Sequence, residues 1–194
     1  PVAAETEILV VGGGPAGIAA AVCAARRGRQ VLLAERCLCL GGTATGGLVG
    51  PFMTCSDPGG TKQLIRGFFE ELVQRLIAEG GAIDPMTMAN CDGYSSWHEF
   101  GHRNLTPFNS ETLKLVAEEL CVEAGVRLLY GVQAVDVRRS PDGRRLDGVY
   151  FAEKEGIVYV GAQVFVDCTG DGDVAAFAGC PMFTSPRATP VSLT

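Results

Sequence analysis

The sequence predicts an α/β fold in which a Rossmann-like parallel sheet is followed by an antiparallel β-meander. Residues 7–35 run as an apolar strand, a glycine turn, an alanine-rich helix and a second apolar strand, the order of a βαβ unit. Residues 131–161 hold three short β-rich runs separated by turn sequences. A chain of 194 residues is one domain or a large part of one, so residues 1–194 are treated as a single domain.

The glycine turn after the first strand predicts a bound dinucleotide. Gly12, Gly14 and Gly17 form the pattern G-x-G-x-x-G. In this pattern the first glycine permits a tight turn, the second lets the backbone approach the phosphates, and the third lets the helix pack on the strand. The positive N-terminus of the helix favours the anion. Glu35 follows Gly14 by about 20 residues, where an acid can bind ribose hydroxyls. An ordinary glycine turn would not explain this acid.

The identity of the dinucleotide depends on Glu35 and on the meander. An acid at the ribose position disfavours a 2′-phosphate and therefore NADP, while FAD and NAD both remain. A plain NAD-binding domain would place another helix where residues 131–161 predict strands. The meander therefore favours FAD, with an NAD-binding module as an alternative.

The loop and helix after Glu35 come next in the chain. Residues 37–52 are rich in glycine, which suits a backbone surface against a flat ligand better than a flexible surface loop. Residues 61–80 carry pairs of apolar side chains every four residues and predict an amphipathic helix that Gly80 and Gly81 end. Residues 82–107 lose this periodicity. We therefore interpret residues 52–107 as a partly irregular insert that forms a possible substrate-side segment.

The remaining elements complete the α/β order. Asn109 is a predicted N-cap of a helix that Gly125 ends, and residues 126–130 read as a buried strand. Within the meander at residues 131–161, the runs 132–138, 146–151 and 157–160 are predicted strands, joined by hairpin turns at 140–143 and 153–156. A last apolar strand at 163–166 leads into the sequence DCTGDGD. A surface turn and a calcium loop are alternative interpretations of this glycine-rich acidic turn, and no companion set of calcium ligands follows it.

Composition excludes several functions. The net charge of −6 gives no reason to expect nucleic acid or an anionic membrane surface. No apolar stretch is long enough to span a membrane, and residues 1–6 do not resemble a signal peptide. Eight cysteines lack the C-x-x-C spacing of metal sites, so no metal is expected. Cys23, Cys121 and Cys180 are predicted to be small core residues, and free thiols suggest a reducing, cytoplasmic location.

Four segments together resemble a known family. They read VVGGGPAG, E-x-x-x-x-x-GGTATGG, FNSETLKLVAEELCVEAGVRLL and VFVDCTGDGDVAAFAG. They are similar to the FAD-dependent oxidoreductases of glutathione-reductase-like fold, in the group whose second motif reads roughly D-A-T-G-D-G-D. The similarity covers nearly the whole chain, and the motifs follow the family's order.

The resemblance implies an FAD site. Glycine-turn residues would hold the pyrophosphate, Glu35 the adenosine ribose, and Arg36 would flank ribose and adenine. The second loop would run along the ribityl chain, the backbone of Val132 would meet the adenine, and the last loop would close over the adenosine half. The residues so implied are Gly12, Gly14, Pro15, Ala16, Gly17, Glu35, Arg36, Gly42, Thr43, Ala44, Thr45, Val132, Thr169, Gly170 and Asp171.

Three departures from the family refine the expectation. No cysteine pair follows the G-G-T sequence, which argues against disulfide reduction, and no histidine is present there for a covalent flavin. We therefore expect non-covalent FAD. The family's chains continue well past T-G-D-G-D, so this chain is expected to be truncated before the C-terminal part. It would then be a fragment or one piece of a divided enzyme, with a partner chain or a homo-oligomer completing the FAD site.

The expected activity is hydride transfer between flavin N5 and a small organic substrate. His98, His102, Arg103 and Tyr94 are candidate substrate-facing groups, because histidine can act as a base near neutral pH and arginine can hold a carboxylate. The simpler interpretation is that the two histidines only pack or cap an irregular segment. Beside the oxidoreductase stand two alternatives: a non-catalytic FAD-binding subunit or fragment that needs a partner chain, and the NAD-binding module.

Overall fold

The computed structural model describes residues 2–53, 55–57, 59–90 and 105–183. Short 3₁₀ segments occupy Gly42–Ala44 and Pro85–Asn90. The helices and strands of the described chain are β1 (Val2–Val11), α1 (Pro15–Ala25), β2 (Val31–Glu35), α2 (Phe68–Ala78), α3 (Ser110–Glu123), β3 (Arg127–Tyr130), β4 (Gln133–Arg139), β5 (Leu146–Glu153), β6 (Gly156–Asp167) and α4 (Asp173–Phe177).

The strands form one six-stranded sheet in the order β3-β2-β1-β6-β5-β4. Strands β3, β2, β1 and β6 run parallel, whereas β4, β5 and β6 are joined as antiparallel neighbours. In the parallel part Val10 of β1 pairs with Leu33 of β2 and with Val166 of β6. The predicted Rossmann-like parallel sheet with a β-meander is therefore confirmed.

Successive side chains of β1 and β2 point to opposite faces of the sheet, so the core has two layers. Val10 and Leu33 point to one face, where they pack with residues of α1, α2 and α3. Leu9 and Leu32 point to the other face, where they pack with meander residues such as Phe151. Each large apolar side chain buried in this way stabilises the fold by about 1.5–3 kcal/mol. The parallel strands are thus covered on both faces, as continuous apolar runs require.

Strand β6 differs from the sequence prediction. The predicted strands at 157–160 and 163–166 are one continuous strand, Gly156–Asp167. Its first half pairs with β5, and most of its length pairs with β1. The prediction ended one run at Val160 and began the next at Gln163. In the structure Gly161 pairs with both Glu5 of β1 and Gly148 of β5, so the strand continues through it.

The helix predicted at 61–80 begins seven residues later, at Phe68. Asp57 closes a turn in front of it, because its carboxylate accepts hydrogen bonds from the amides of Thr61 and Lys62 at 2.8 and 2.7 Å. Gly67 precedes the helix at a φ of +69°, a left-handed value that breaks helical continuity. The prediction was wrong for residues 61–67, because apolar periodicity carries no information about this turn.

The elements around α3 and the cysteines show further agreements and corrections. Asn109 caps α3 as predicted, accepting from the amides of Glu111 and Thr112 at 2.9 and 3.1 Å. The strand predicted to be buried at 126–130 is the edge strand β3, which is exposed or half-buried. Cys121 is buried, and burial raises the pKa of its thiol to about 12.

Cys23 and Cys180 are exposed, contrary to the prediction that they lie in the core. The buried face of α1 carries Ile18 and Val22, and Cys23 lies outside this face. Cys180 follows the glycine turn after α4. All seven cysteines in the described part of the chain are free thiols. No helix in that part is long and apolar enough to span a bilayer.

Candidate functional site

Two loops meet at the carboxyl ends of β1 and β6. The turn that begins at Gly12 follows β1, and the loop from Asp167 follows β6. The amide of Cys168 donates to the carbonyl of Val11 at 2.8 Å, which joins the loops where they leave the sheet. Ligands of open α/β sheets bind outside the carboxyl ends of the strands. This edge is therefore the candidate site.

The three motif glycines have separate structural reasons. Gly12 has a φ of +101°, and a Cβ there would collide with the carbonyl of Cys168. A Cβ on Gly17 would overlap the carbonyl oxygen of Gly12, so α1 packs against the turn only without a side chain. A Cβ on Gly14 would meet no atom within 4 Å. Gly14 is the N-cap of α1, and Pro15 occupies the first helical turn. Close packing explains Gly12 and Gly17, whereas the structure leaves open space at Gly14 beside the N-terminus of α1.

Glu35 holds the glycine turn in place. It is only 6% exposed. Its Oε2 accepts the amide of Gly13 at 2.6 Å and its Oε1 accepts the amide of Cys37 at 2.7 Å. A carboxylate has about four acceptor positions, so each oxygen retains capacity for a ribose hydroxyl. The buried Glu35 carboxylate therefore connects β2 to the glycine turn, in addition to its expected role in binding ribose hydroxyls.

The loop after Glu35 lies against the same turn. The amide of Gly41 donates to the carbonyl of Gly13 at 2.8 Å. A Cβ on Gly42 would lie 3.0 Å from the Cα of Gly14, so the two loops are in close contact. Thr45 is 1% exposed and its hydroxyl donates to the carbonyl of Leu40 at 2.7 Å. Its side chain thus stabilises the loop from inside.

The remaining members of this loop and the start of the meander surround the end of β2. Thr43 is exposed and Ala44 is buried. The amide of Val132 donates to the carbonyl of Glu35 at 3.1 Å, which places the start of β4 beside the acid. Arg36, the next residue after Glu35, is exposed. Val132 and Arg36 therefore both adjoin the end of β2, where an adenosine would lie.

Asp167 organises the acidic loop after β6. Its Oδ1 accepts the amide and the hydroxyl of Thr169 at 3.0 and 2.7 Å, and its Oδ2 accepts the amide of Ala175 at 2.9 Å. The hydroxyl of Thr169 in turn accepts the amide of Asp173 at 2.7 Å. Gly170 and Asp171 are exposed between these anchors. The first acid of the motif therefore shapes the loop, and Asp171 is presented to solvent at its tip.

The structure gives roles to three further residues: Gly13 and Asp167, which sequence analysis did not select, and Gly41, which it named only as part of the glycine-rich loop. Gly13 lies between two motif glycines and is bound by Glu35, and a Cβ there would meet the Leu40 side chain at 2.6 Å. Gly41 has a φ of +106°, and a Cβ there would collide with Thr45. Asp167 is the third. The consecutive glycines of the two loops were the available signal for Gly13 and Gly41. The position of Asp167 as the first acid of DCTGDGD was the available signal for that residue. The catalytic candidates His98, His102, Arg103 and Tyr94 lie outside the described residues.

The donor set fits FAD. The space next to Gly14, at the N-terminus of the eleven-residue helix α1, suits a pyrophosphate because backbone amides and the helix dipole favour an anion. Glu35 provides acceptors for a ribose at the end of β2, and Asp171 provides them on the loop after β6. The residues along this sheet edge therefore provide donors for a pyrophosphate and acceptors for hydroxyl groups.

Several solved structures share this fold. THI4 of Thermovibrio ammonificans is 19% identical with a TM-score of 0.51, and 89% of this chain covers 61% of that protein. L-proline dehydrogenase from P. horikoshii is 16% identical with a TM-score of 0.59, and 91% of this chain covers 56% of it. The chain therefore spans less than two thirds of either protein. At such identity these similarities show a shared fold alone.

Sequence comparison assigns the family. No curated protein sequence matches the chain significantly. A sequence model described as FAD dependent oxidoreductase matches residues 7–189, nearly the whole chain. This range includes the glycine turn, Glu35 and the acidic loop after β6. The chain belongs to the FAD-dependent oxidoreductase family.

Proposed function

We propose that this chain is the FAD-binding part of an oxidoreductase that holds FAD without a covalent bond and exchanges a hydride with a small organic substrate. The observation that carries the proposal is the open space at Gly14. A glycine whose Cβ would touch nothing, at the N-cap of a helix beside two glycines that packing requires, is explained by close approach of a phosphate. FAD supplies the hydride-transferring flavin when it is bound.

Each part of the sheet edge has a distinct role in this proposal. The glycine turn binds the pyrophosphate, Glu35 binds the adenosine ribose, and Arg36 and the backbone of Val132 flank the adenine. The loop at 42–45 follows the ribityl chain, and the loop after β6 closes over the adenosine half. The turn residues are Gly12, Gly14, Pro15, Ala16 and Gly17, the second loop has Gly42, Thr43, Ala44 and Thr45, and the last loop has Thr169, Gly170 and Asp171.

The residues of the loop support non-covalent binding. A covalent flavin bond needs a nucleophilic side chain such as histidine or cysteine near the ring. Residues 41–50 contain neither type. This segment has two hydroxyl side chains, Thr43 and Thr45. The side chain of Thr45 is buried, and its hydroxyl donates to the carbonyl of Leu40. The cofactor is therefore held by hydrogen bonds, charge and packing.

A visible absorption spectrum of the purified protein, taken before and after acid precipitation, tests the proposal. We expect flavin bands that pass completely into the acid supernatant. Bands that stay with the precipitate would contradict non-covalent binding. A colourless protein that takes up no added FAD, while binding NAD, would contradict the flavin assignment itself.

A second candidate function is an FAD-binding subunit that turns over only with a partner chain. The chain spans 56% of the proline dehydrogenase that shares its fold, so turnover by this chain alone is a separate question from FAD binding. Such a subunit would bind FAD and remain oxidised with any donor under anaerobic conditions. Reduction of the bound flavin by a donor without a second chain would exclude this candidate.

A further inference from the structure

Leu38 presents a large apolar side chain to solvent at the end of β2. It is 83% exposed, more than any other large apolar side chain of the described residues except Phe183. Leu40, two residues further along the same segment, is completely buried. A single exposed leucine is common on protein surfaces and is not a site by itself. What matters is how the backbone at Leu38 is held and which groups lie next to its side chain.

Hydrogen bonds and packing fix the backbone on both sides of Leu38. The amide of Cys37 donates to Oε1 of Glu35 at 2.7 Å, and the carbonyl of Cys37 accepts the amide of Gly131 at 3.3 Å. On the other side, the buried side chain of Leu40 anchors the segment in the helical layer of the core. Leu38 is therefore exposed on an anchored segment, and a ligand that contacts it has little backbone to order.

The side chain of Leu38 lies next to Gly131, at the start of the meander. A Cβ built on Gly131 would be 3.5 Å from Cδ2 of Leu38, which is an ordinary van der Waals contact. The residue after Gly131 is Val132, whose amide donates to the carbonyl of Glu35 at 3.1 Å. Leu38 and Val132 are therefore neighbours of the same acid, although they belong to different segments of the chain.

The hydrogen bonds of Glu35 indicate in which direction a bound nucleotide would run. Oε2 accepts the amide of Gly13 in the glycine turn, and Oε1 accepts the amide of Cys37. The carboxylate thus lies between the glycine turn and the segment that carries Leu38. A nucleotide ribose has its phosphate on C5′ and its base on C1′, at opposite ends of the sugar. With the hydroxyls on Glu35 and the phosphate at the glycine turn, the base is directed towards Leu38.

The side chains on that side of Glu35 suit a flat, uncharged ring. Residues 37–42 have the sequence CLCLGG, which contains no charged side chain. Arg36, between Glu35 and this segment, is exposed. Aliphatic side chains and guanidinium groups both pack on the faces of aromatic rings, whereas an anionic group gains nothing from an aliphatic surface. A purine base therefore fits this end of the site better than a second phosphate.

We propose that Leu38 packs on the adenine ring of FAD and favours adenine dinucleotides over FMN, which has no adenine. The proposal rests on the proposed function, because an adenine lies at Leu38 only if the glycine turn and Glu35 hold FAD. It adds an apolar contact to the two groups already proposed to flank the adenine, Arg36 and the backbone of Val132. The exposed side chain of Leu38 then becomes buried when the cofactor binds.

Leu38→Ala tests the contact in fluorescence titrations of the apoprotein with FAD, with ADP and pyrophosphate as competitors. We expect the Kd for FAD and the Kd for ADP each to rise about three- to tenfold, because apolar contact area is lost. The Kd for pyrophosphate, which has no base, should not change. Leu115→Ala, at a position 55% exposed on α3, is the matched control and should leave all three values unchanged.

Two results of these titrations would overturn the proposal. An unchanged Kd for FAD in Leu38→Ala would show that the side chain does not contact the cofactor. An equal rise in the Kd for pyrophosphate would show that Leu38 acts through the shape of the loop and not through the adenine. An equal loss of FAD affinity in Leu115→Ala would likewise exclude a specific contact.

Alkylation of Cys37 by iodoacetamide gives a second measurement that needs no variant. Cys37 and Cys23 are both exposed thiols, and Cys37 adjoins Leu38. We expect saturating ADP to slow the labelling of Cys37 and to leave that of Cys23 unchanged. Labelling of Cys37 at the same rate with and without ADP would place the adenine elsewhere and overturn the proposal.

These experiments separate the contact from the function on which it rests. If the wild-type protein and Leu38→Ala bind FAD with the same Kd, the contact is wrong and the flavoprotein stands. If the wild-type protein takes up neither FAD nor ADP, the proposed function is wrong, and so is the contact.

Discussion

Gly14→Ala should separate cofactor binding from folding. Gly14 has φ −71° and ψ −178°, an extended conformation that alanine adopts without strain. A Cβ at this position meets no atom within 4 Å. The added methyl group therefore enters the open space beside the N-terminus of α1, where we propose that the pyrophosphate binds. The substitution should therefore leave the stability of the folded protein nearly unchanged and weaken binding of the phosphates.

The expected magnitudes follow from this geometry. Alanine is a poorer N-cap than glycine by up to about 1 kcal/mol. Alanine also loses less backbone entropy on folding, which stabilises by about 0.4–1 kcal/mol. The free energy of unfolding should therefore change by less than about 0.5 kcal/mol. Separating a phosphate from one or two backbone amides removes about 1.5–3 kcal/mol, so the Kd for FAD should rise about 10- to 100-fold.

Urea unfolding of the apoprotein and fluorescence titration with FAD measure the two quantities. Gly59→Ala is the control for a glycine outside the site, since the nearest neighbour of its Cβ is the carboxylate of the half-buried Asp57, at 3.3 Å. Gly17→Ala is the opposite case, because its Cβ overlaps the Gly12 carbonyl, and it should lose at least about 2 kcal/mol of stability. An unchanged Kd for FAD in Gly14→Ala would refute the reasoning.

Three further substitutions test the anchors of the site and of the helical layer. Glu35→Gln turns an amide NH₂ towards a backbone N–H and should lower the free energy of unfolding by about 1–3 kcal/mol in urea, even without FAD; unchanged stability would leave Glu35 with a ribose role alone. Asp167→Asn should lose a similar amount and also weaken FAD binding, and a loss of stability with unchanged affinity would contradict its role in shaping the loop. Arg26 hydrogen-bonds Glu71 at 2.6 Å and lowers the pKa of its carboxyl. Glu71→Gln should therefore lose less than about 1 kcal/mol at pH 7. That difference should vanish as the pH falls through the lowered pKa, and a difference that persists in acid would exclude the ion pair as its source.

The fold was largely predictable because its main signals are local. The order of elements around Gly12, Glu35 and Asn109 depends on neighbours within about twenty residues, and the structure has the strands and helices that these residues predict. Residues 61–67 were misassigned because the side chain of Asp57 competes with the helix for backbone amides. Periodicity records which side chains are apolar, and it does not record such a competing hydrogen bond.

The candidate site was predictable at its glycines and less so at its acids. Gly12 and Gly17 follow from a motif in which each position has a fixed steric reason. The hydrogen bond from Gly13 to Glu35 joins residues more than twenty positions apart in the sequence. The hydrogen bond from Cys37 to Glu35 joins residues two positions apart. The role of Asp167 depends on the path of the chain into α4. Spacing marks the positions of Glu35 and Asp167 in the sequence, but it does not show which backbone amides their carboxylates bind.

The continuity of β6 limits how the molecule can move. One strand belongs to both the parallel layer and the meander, so its backbone hydrogen bonds serve two neighbours at once. A hinge between the parallel part of the sheet and the meander would have to break this strand. The two parts are therefore expected to exchange their amide hydrogens as one cooperative unit. Any motion that admits a ligand must then come from the loops at the carboxyl edge. The carboxyl ends of β1 and β6 belong to the rigid part, and adaptation is left to the loops that follow them.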